Sequence, residues 1–167
     1  MTREHGETIT NSILDRLIDL EPGSEVENPP SRAQSVRQLK SAVRRDLEWL
    51  LNTRRTPEIP EDRLELETVK QSLYVYGIPD LSSLTMANSA DRNLLKRVVT
   101  DAIKIFENRL SQIRVDFVDP SSTSSSGVRL RIDAMLRMDP VPEPISFDTV
   151  IDLKGSDCHL AGADDAR

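Results

Sequence analysis

A chain of 167 residues is long enough for one domain with its own core, or for a small domain with arms. Aromatic residues make up 4% and hydrophobic residues 37% of it, so that core must be aliphatic, and a formal charge of -6 argues against general nucleic-acid binding, which calls for a basic domain. A single cysteine, Cys158, excludes a disulfide framework, and no apolar run approaches the roughly 20 residues that span a bilayer.

Residues 1–22 read as an N-terminal arm. Ile9, Ile13, Leu14, Leu17, Ile18 and Leu20 recur at helical spacing, and Pro22-Gly23 closes the segment. Met1–Thr10 has no secretory apolar stretch, so the expected location is cytoplasmic. A proline-rich linker, 23–30, follows. Such a short amphipathic helix on a tether either docks on its own domain or inserts into a partner's groove.

The next helix carries a stripe of Val36, Leu39, Val43, Leu47, Leu50 and Leu51, and Pro57 ends it. Trp49 lies off that stripe, either as an anchor for an interface or covered by the following segment. Between Ser31 and Thr56 seven Arg or Lys face two acids, Asp46 and Glu48, whereas 1–30 is acidic. Such a basic run is most often a solvated face.

Glu67–Tyr76 predicts a further helix bearing Val69, Leu73 and Tyr76, stopped by Gly77 and Pro79. Asn88 or Ser89 caps the longest helix, with Asp91 in its first turn. Its stripe is Leu95, Val98, Val99, Ala102, Ile103, Phe106 and Leu110. The helix is expected to end near Asn108, a residue that tolerates left-handed backbone.

Beyond it the period changes from 3.6 to 2. Ile113, Val115 and Phe117 alternate with charged residues; so do Val128 to Met138, and so do Ile145, Phe147, Thr149, Ile151 and Leu153. The fold class is α+β: N-terminal helices packed on one face of a three-stranded antiparallel sheet, in a domain spanning 31–154. Residues 155–167 read as a disordered tail.

Catalytic signatures are sparse. His5 and His159 both lie in arms, no Gly-rich phosphate loop occurs, and no Cys or His set has zinc spacing, so no cofactor or metal is expected. Carboxylate pairs are the exception, because a glycoside hydrolase needs only two in a cleft. Glu107 with Asp116, Asp133 or Asp148 is the arrangement that a peptidoglycan hydrolase would use. A nucleic-acid binder built on Arg32–Arg55 is disfavoured by the acidic surroundings and by the lack of interleaved aromatics.

One pair resists a simple helical reading. Glu107 and Arg109 are two residues apart, and on a helix partners face each other only at three or four. Changed backbone direction at the helix end either joins them or aims each at a different partner.

Several stretches taken together, SILDRLIDL, SVRQLKSAVRRDLEWLLNTRR, ETVKQSLYVYGIPDLSSL, FENRL and FDTVIDL, resemble the TssE subunits of the type VI secretion baseplate. That family is similar to the small wedge protein of contractile-phage baseplates, and the resemblance runs over about residues 9–153. Its Glu-Pro-Arg signature falls on Glu107, Asn108 and Arg109, with asparagine here in place of the proline. The resemblance implies a structural adaptor and no enzyme, despite the family's lysozyme-like label. It implies wedge partners of TssF, TssG and TssK type and sheath subunits of TssB and TssC type, assembled at the inner face of the inner membrane without insertion into it. The N-terminal helix is then the expected wedge-binding element. The strand Ile145–Leu153 is the expected docking edge for a sheath strand, since an exposed edge presents unpaired N–H and C=O groups.

Overall fold

The computed structural model describes residues 12–17, 31–55, 67–118, 127–153 and 158–162. A short helix, α1 (Ile13–Leu17), precedes the long α2 (Arg32–Asn52). Ser31 caps α2 with a reciprocal box: its hydroxyl accepts from the Gln34 N–H, and the Gln34 side chain accepts from the Ser31 N–H at 2.8 Å. Two short pieces follow, α3 (Glu67–Lys70) and a 3₁₀ turn at Leu73–Val75, and then α4 (Ser89–Phe106), capped by Asn88. The sheet closes the domain: β1 (Leu110–Phe117), β2 (Val128–Leu136), β3 (Glu143–Ile151) and β4 (Cys158–Gly162), all antiparallel, in the order β1-β2-β3-β4.

The α+β class and the three-strand meander are those the alternating pattern predicts. The fourth strand is not. Cys158–Gly162, assigned to a disordered tail, pairs with Phe147–Ile151, with Leu160 opposite Thr149. Leu160 is 2% exposed and packs in the core, which explains why this polar segment folds back. One buried leucine and five pairing partners outweigh a local composition with little apolar content.

Two helical readings also change. The segment 67–76 is not one helix. The chain turns at Ser72, whose hydroxyl donates to the Val69 carbonyl at 2.7 Å, and resumes as a 3₁₀ turn. This buries Val75 and leaves Leu73 86% exposed, the reverse of the predicted stripe. Gly77 does adopt a positive φ of 100°. A Cβ there would lie 2.3 Å from the Thr53 carbonyl oxygen, because Ile78 bonds to the end of α2 through Thr53 and Arg55.

Leu110 is the first residue of β1, and not part of the helix stripe. The chain leaves the helix at Glu107, and the left-handed residue lies further on, at Gln112 with φ 52°, inside a β-bulge between Ser111 and Arg114.

Leu39, Val43, Leu47, Leu50 and Leu51 of α2 meet Leu95, Val99, Ala102 and Ile103 of α4 and the inner face of the sheet, Leu130, Ile132, Leu136, Phe147 and Ile151. The core is aliphatic, as composition requires. Tyr76 and Phe106 flank it edge to face, with ring centroids 5.1 Å apart.

Candidate functional site at the helix-to-strand corner

The end of α4 is a tight reversal. The Glu107 N–H donates to the Ile103 carbonyl at 2.9 Å, completing the helix, and the Leu110 N–H donates to the Glu107 carbonyl at 3.2 Å, starting the strand. Within this turn side chains two apart can converge, which a continuing helix forbids.

Glu107 and Arg109 therefore meet directly. Arg109 Nε donates to Glu107 Oε1 at 2.7 Å, its Nη2 to Oε2, and its backbone N–H to Oε1 at 3.1 Å. Glu107 is only 5% exposed, so its carboxylate is held in the interior by a bidentate guanidinium. Asn108 is exposed at the tip of the turn. The Arg109 carbonyl accepts from the Arg137 N–H at 2.7 Å, which ties the corner to the end of β2.

The pair is the inner end of a longer chain of charges. Arg109 Nη2 also donates to Asp46 Oδ2 of α2 at 2.5 Å. Asp46 accepts from Arg45 through Nε and Nη2 at 3.0 and 2.8 Å, and Arg45 Nη2 reaches Asp15 of α1 at 2.7 Å. Alternating charges thus run Asp15, Arg45, Asp46, Arg109, Glu107, joining α1, α2, α4 and β1.

The titration of these groups reflects the arrangement. Hydrogen bonding to Glu107 holds Arg109 more firmly protonated than usual against the cost of its burial, and Asp46 adds to the effect. Arg45 is raised by its bonds to Asp15 and Asp46. Burial works to raise the Asp15 carboxyl, but hydrogen bonds from Ser12 and Arg45 outweigh it and leave it below the usual range. Tyr76, beside the chain, is pushed up by burial and by the negative charges of Asp46 and Glu107.

Asp15, Arg45 and Asp46 escaped the sequence reading. A signal was present for Asp46, one of two acids in an otherwise basic helix.

The other expected residues fall in three places. Ile13, Leu14 and Leu17 are 77%, 50% and 77% exposed on α1, while Ile9 and Ile18 lie outside the described residues. Trp49 is 52% exposed, with the Arg45 guanidinium 5.2 Å from its ring centroid. Ile145, Phe147, Thr149 and Ile151 are buried on the inner face of β3, and Leu153 packs at its end.

The expectation of β3 as a docking edge requires correction, because β4 already occupies its outer side from Phe147 to Ile151. The outer side of β4 is itself partly capped, since the Leu160 N–H donates to Glu48 of α2 at 3.0 Å. On the opposite side β1 is, among the described residues, an edge strand. The Val118 N–H bonds to the Arg129 carbonyl, and by alternation Arg114 and Asp116 also turn toward β2, so the backbone groups of Val115 and Phe117 point outward.

Each carboxylate that a hydrolase reading needs has a partner. Glu107 is held by Arg109, Asp116 by Lys96 at 2.8 Å, Asp133 by the Ser146 hydroxyl at 2.5 Å, and Asp148 by Arg131 at 2.7 Å. Among the described residues no cluster suits a metal ion, and no helix is long and apolar enough to cross a membrane.

No curated protein and no solved structure matched the chain. A family model, that of the baseplate wedge protein gp25, matches residues 37–141, which take in most of α2, α4, the corner, β1 and β2. With more than half of its length matched, this chain belongs to the baseplate wedge protein gp25 family.

Proposed function

We propose that this wedge-family protein is a structural component of a type VI secretion baseplate, and that it seeds the contractile sheath by accepting a sheath strand on its open sheet edge. The family is a structural baseplate family, with interactions among baseplate components. The observation that carries the strand-addition reading is the edge of β1, where the backbone groups of Val115 and Phe117 face away from β2.

In this reading the three parts of the molecule divide the work. The Glu107–Arg109 corner, with Asp46, fixes the sheet to α2 and α4 so that the edge is presented rigidly. Buried as it is, Glu107 acts from inside and leaves the exposed Asn108 to meet other chains. The exposed Ile13, Leu14 and Leu17 of α1 supply attachment to wedge proteins of TssF, TssG and TssK type, with Trp49 as a second anchor. TssB- and TssC-type sheath subunits dock on β1, at the cytoplasmic face of the inner membrane.

Val115→Pro tests the edge. The substitution removes an outward N–H and none that bonds to β2, but it also trims a side chain that is 5% exposed in the core; with circular dichroism matching that of the parent, fluorescently tagged sheath should fail to assemble in cells. Normal sheath assembly with a folded Val115→Pro protein overturns docking on β1. Deleting residues 1–22 should abolish co-purification with the TssF/TssG-type component and leave a folded domain. An unfolded deletion product assigns α1 to the core instead.

A further inference from the structure

A groove of about 1140 Å³ is lined by α2 and by the first three strands of the sheet. Among its described lining residues four are cations, Arg37, Lys40 and Arg44 of α2 and Arg114 of β1, against two acids, Asp133 and Glu143. That balance is the reverse of the chain's formal charge of -6. The α2 cations stand three and four residues apart, so they share one helix face and span about 10 Å along it. Glu143 meets Lys40 at 2.7 Å, and Glu48 lies 3.8 Å from Arg44. Arg37 and Arg114 are exposed, one on the helix and one on the sheet.

A basic run on a helix is most often a solvated face. This one is the wall of a groove, and the sheet contributes a further cation together with the apolar surface of Met135 and Pro144.

We propose that the groove docks an aspartate- or glutamate-rich segment of another protein. Its volume exceeds the roughly 300–1,000 Å³ of a small-molecule pocket and suits a stretch of polypeptide. An extended chain sets alternate side chains about 7 Å apart, so two or three alternate acids span the row of cations on α2. Asp133 and Glu143, set among the cations, repel a carboxylate that arrives out of place and so select one register. A nucleic acid fits less well. Its phosphates would face these same two acids, and the aromatic residue among the described lining, Phe147, is 3% exposed and offers no ring for a base to stack on. Docking here uses side chains of α2 and of the sheet, and no backbone group of the β1 edge, so it stands or falls apart from sheath docking.

Fluorescence anisotropy of a labelled peptide of about twelve residues, alternating glutamate and serine, titrated with the full chain tests this. Binding at low salt is expected, weakening steadily as salt rises. The double variant Arg37→Glu, Arg114→Glu should weaken it by roughly tenfold or more, with circular dichroism matching that of the parent. Arg97→Glu, Lys104→Glu makes the same change in net charge at exposed positions of α4 outside the groove, and should bind within about twofold of the parent. Equal losses in the two double variants overturn the groove in favour of diffuse attraction, and absence of peptide binding overturns it outright. Tighter binding of an oligothymidylate of equal charge overturns the acidic segment in favour of nucleic acid. Self-association of the parent that Arg37→Glu, Arg114→Glu abolishes overturns it too, in favour of a second copy as the occupant.

Discussion

Among the described residues, one arginine fork holds a carboxylate at the corner, between Arg109 and Glu107, and another does so across the sheet, between Arg131 and Asp148. The chemistry is the same, with Nε and Nη2 donating to two carboxylate oxygens in each case. The surroundings differ. The Glu107 side chain is 6% exposed, whereas those of Arg131 and Asp148 are 48% and 41% exposed. Exposed pairs gain little, because water competes for both partners and salt screens them. A buried carboxylate that loses its partner retains the full cost of having left water. The comparison teaches that geometry alone does not rank an ion pair; burial does.

The strongest way to break this contrast is Arg109→Ala. It leaves Glu107 buried without its cation, and chemical denaturation should show a loss of about 3–5 kcal/mol. A loss below about 1 kcal/mol would mean that the corner relaxes and lets water in. Asp46→Ala removes one acceptor of Arg109 but spares the Glu107 fork, and should cost about 1–3 kcal/mol in the same assay. Because Asp46 bridges Arg109 and Arg45, a double-mutant cycle with Asp15→Ala should show coupling if the charge chain acts as a unit.

Asp15→Ala alone should cost about 1 kcal/mol, since Arg45 is partly exposed and keeps Asp46 as a partner when Asp15 is lost. Its pH dependence has a definite sign. The folded pKa of Asp15 lies below its unfolded value, so this contribution is fully present above the unfolded value and is lost as pH falls through the folded one. The difference in stability between parent and Asp15→Ala should shrink on acidification and stay constant near neutral pH. Smallest of all, Arg131→Ala should leave the thermal midpoint indistinguishable from that of the parent at physiological salt. A large drop there would remove the distinction drawn between the two forks.

The two sheet edges repeat the lesson at the level of backbone. The β3 edge looked available from the sequence, because the strand that follows it in the chain is polar and short. β4 instead covers it from Phe147 to Ile151, anchored by Leu160 and by Glu48. The β1 edge, which periodicity does not distinguish from the others, has no further strand on its outer side among the described residues.

What the sequence alone determined was local and periodic. The stripes of α2 and α4 and the two-residue alternation of β1 to β3 give the α+β class, since each buried face must find another. Gly77 and Asn88 mark a turn and a cap through their own backbone and side-chain chemistry, which needs no distant partner. The quoted stretches further sufficed for a resemblance that the family match over residues 37–141 supports.

The tertiary structure decided whatever depends on partners far apart in the chain. Asp46 reaches Arg109 across 63 residues, and Glu48 reaches Leu160 across 112. No window of sequence contains both members of either pair. The joining of Glu107 to Arg109 hung on one further fact, that the helix stops at Phe106 and the chain reverses within a single turn. Three residues past that stop Leu110 begins β1 and lies in the shared core, so a contact between residues two apart belongs to a turn whose far end is held by the packing of the domain.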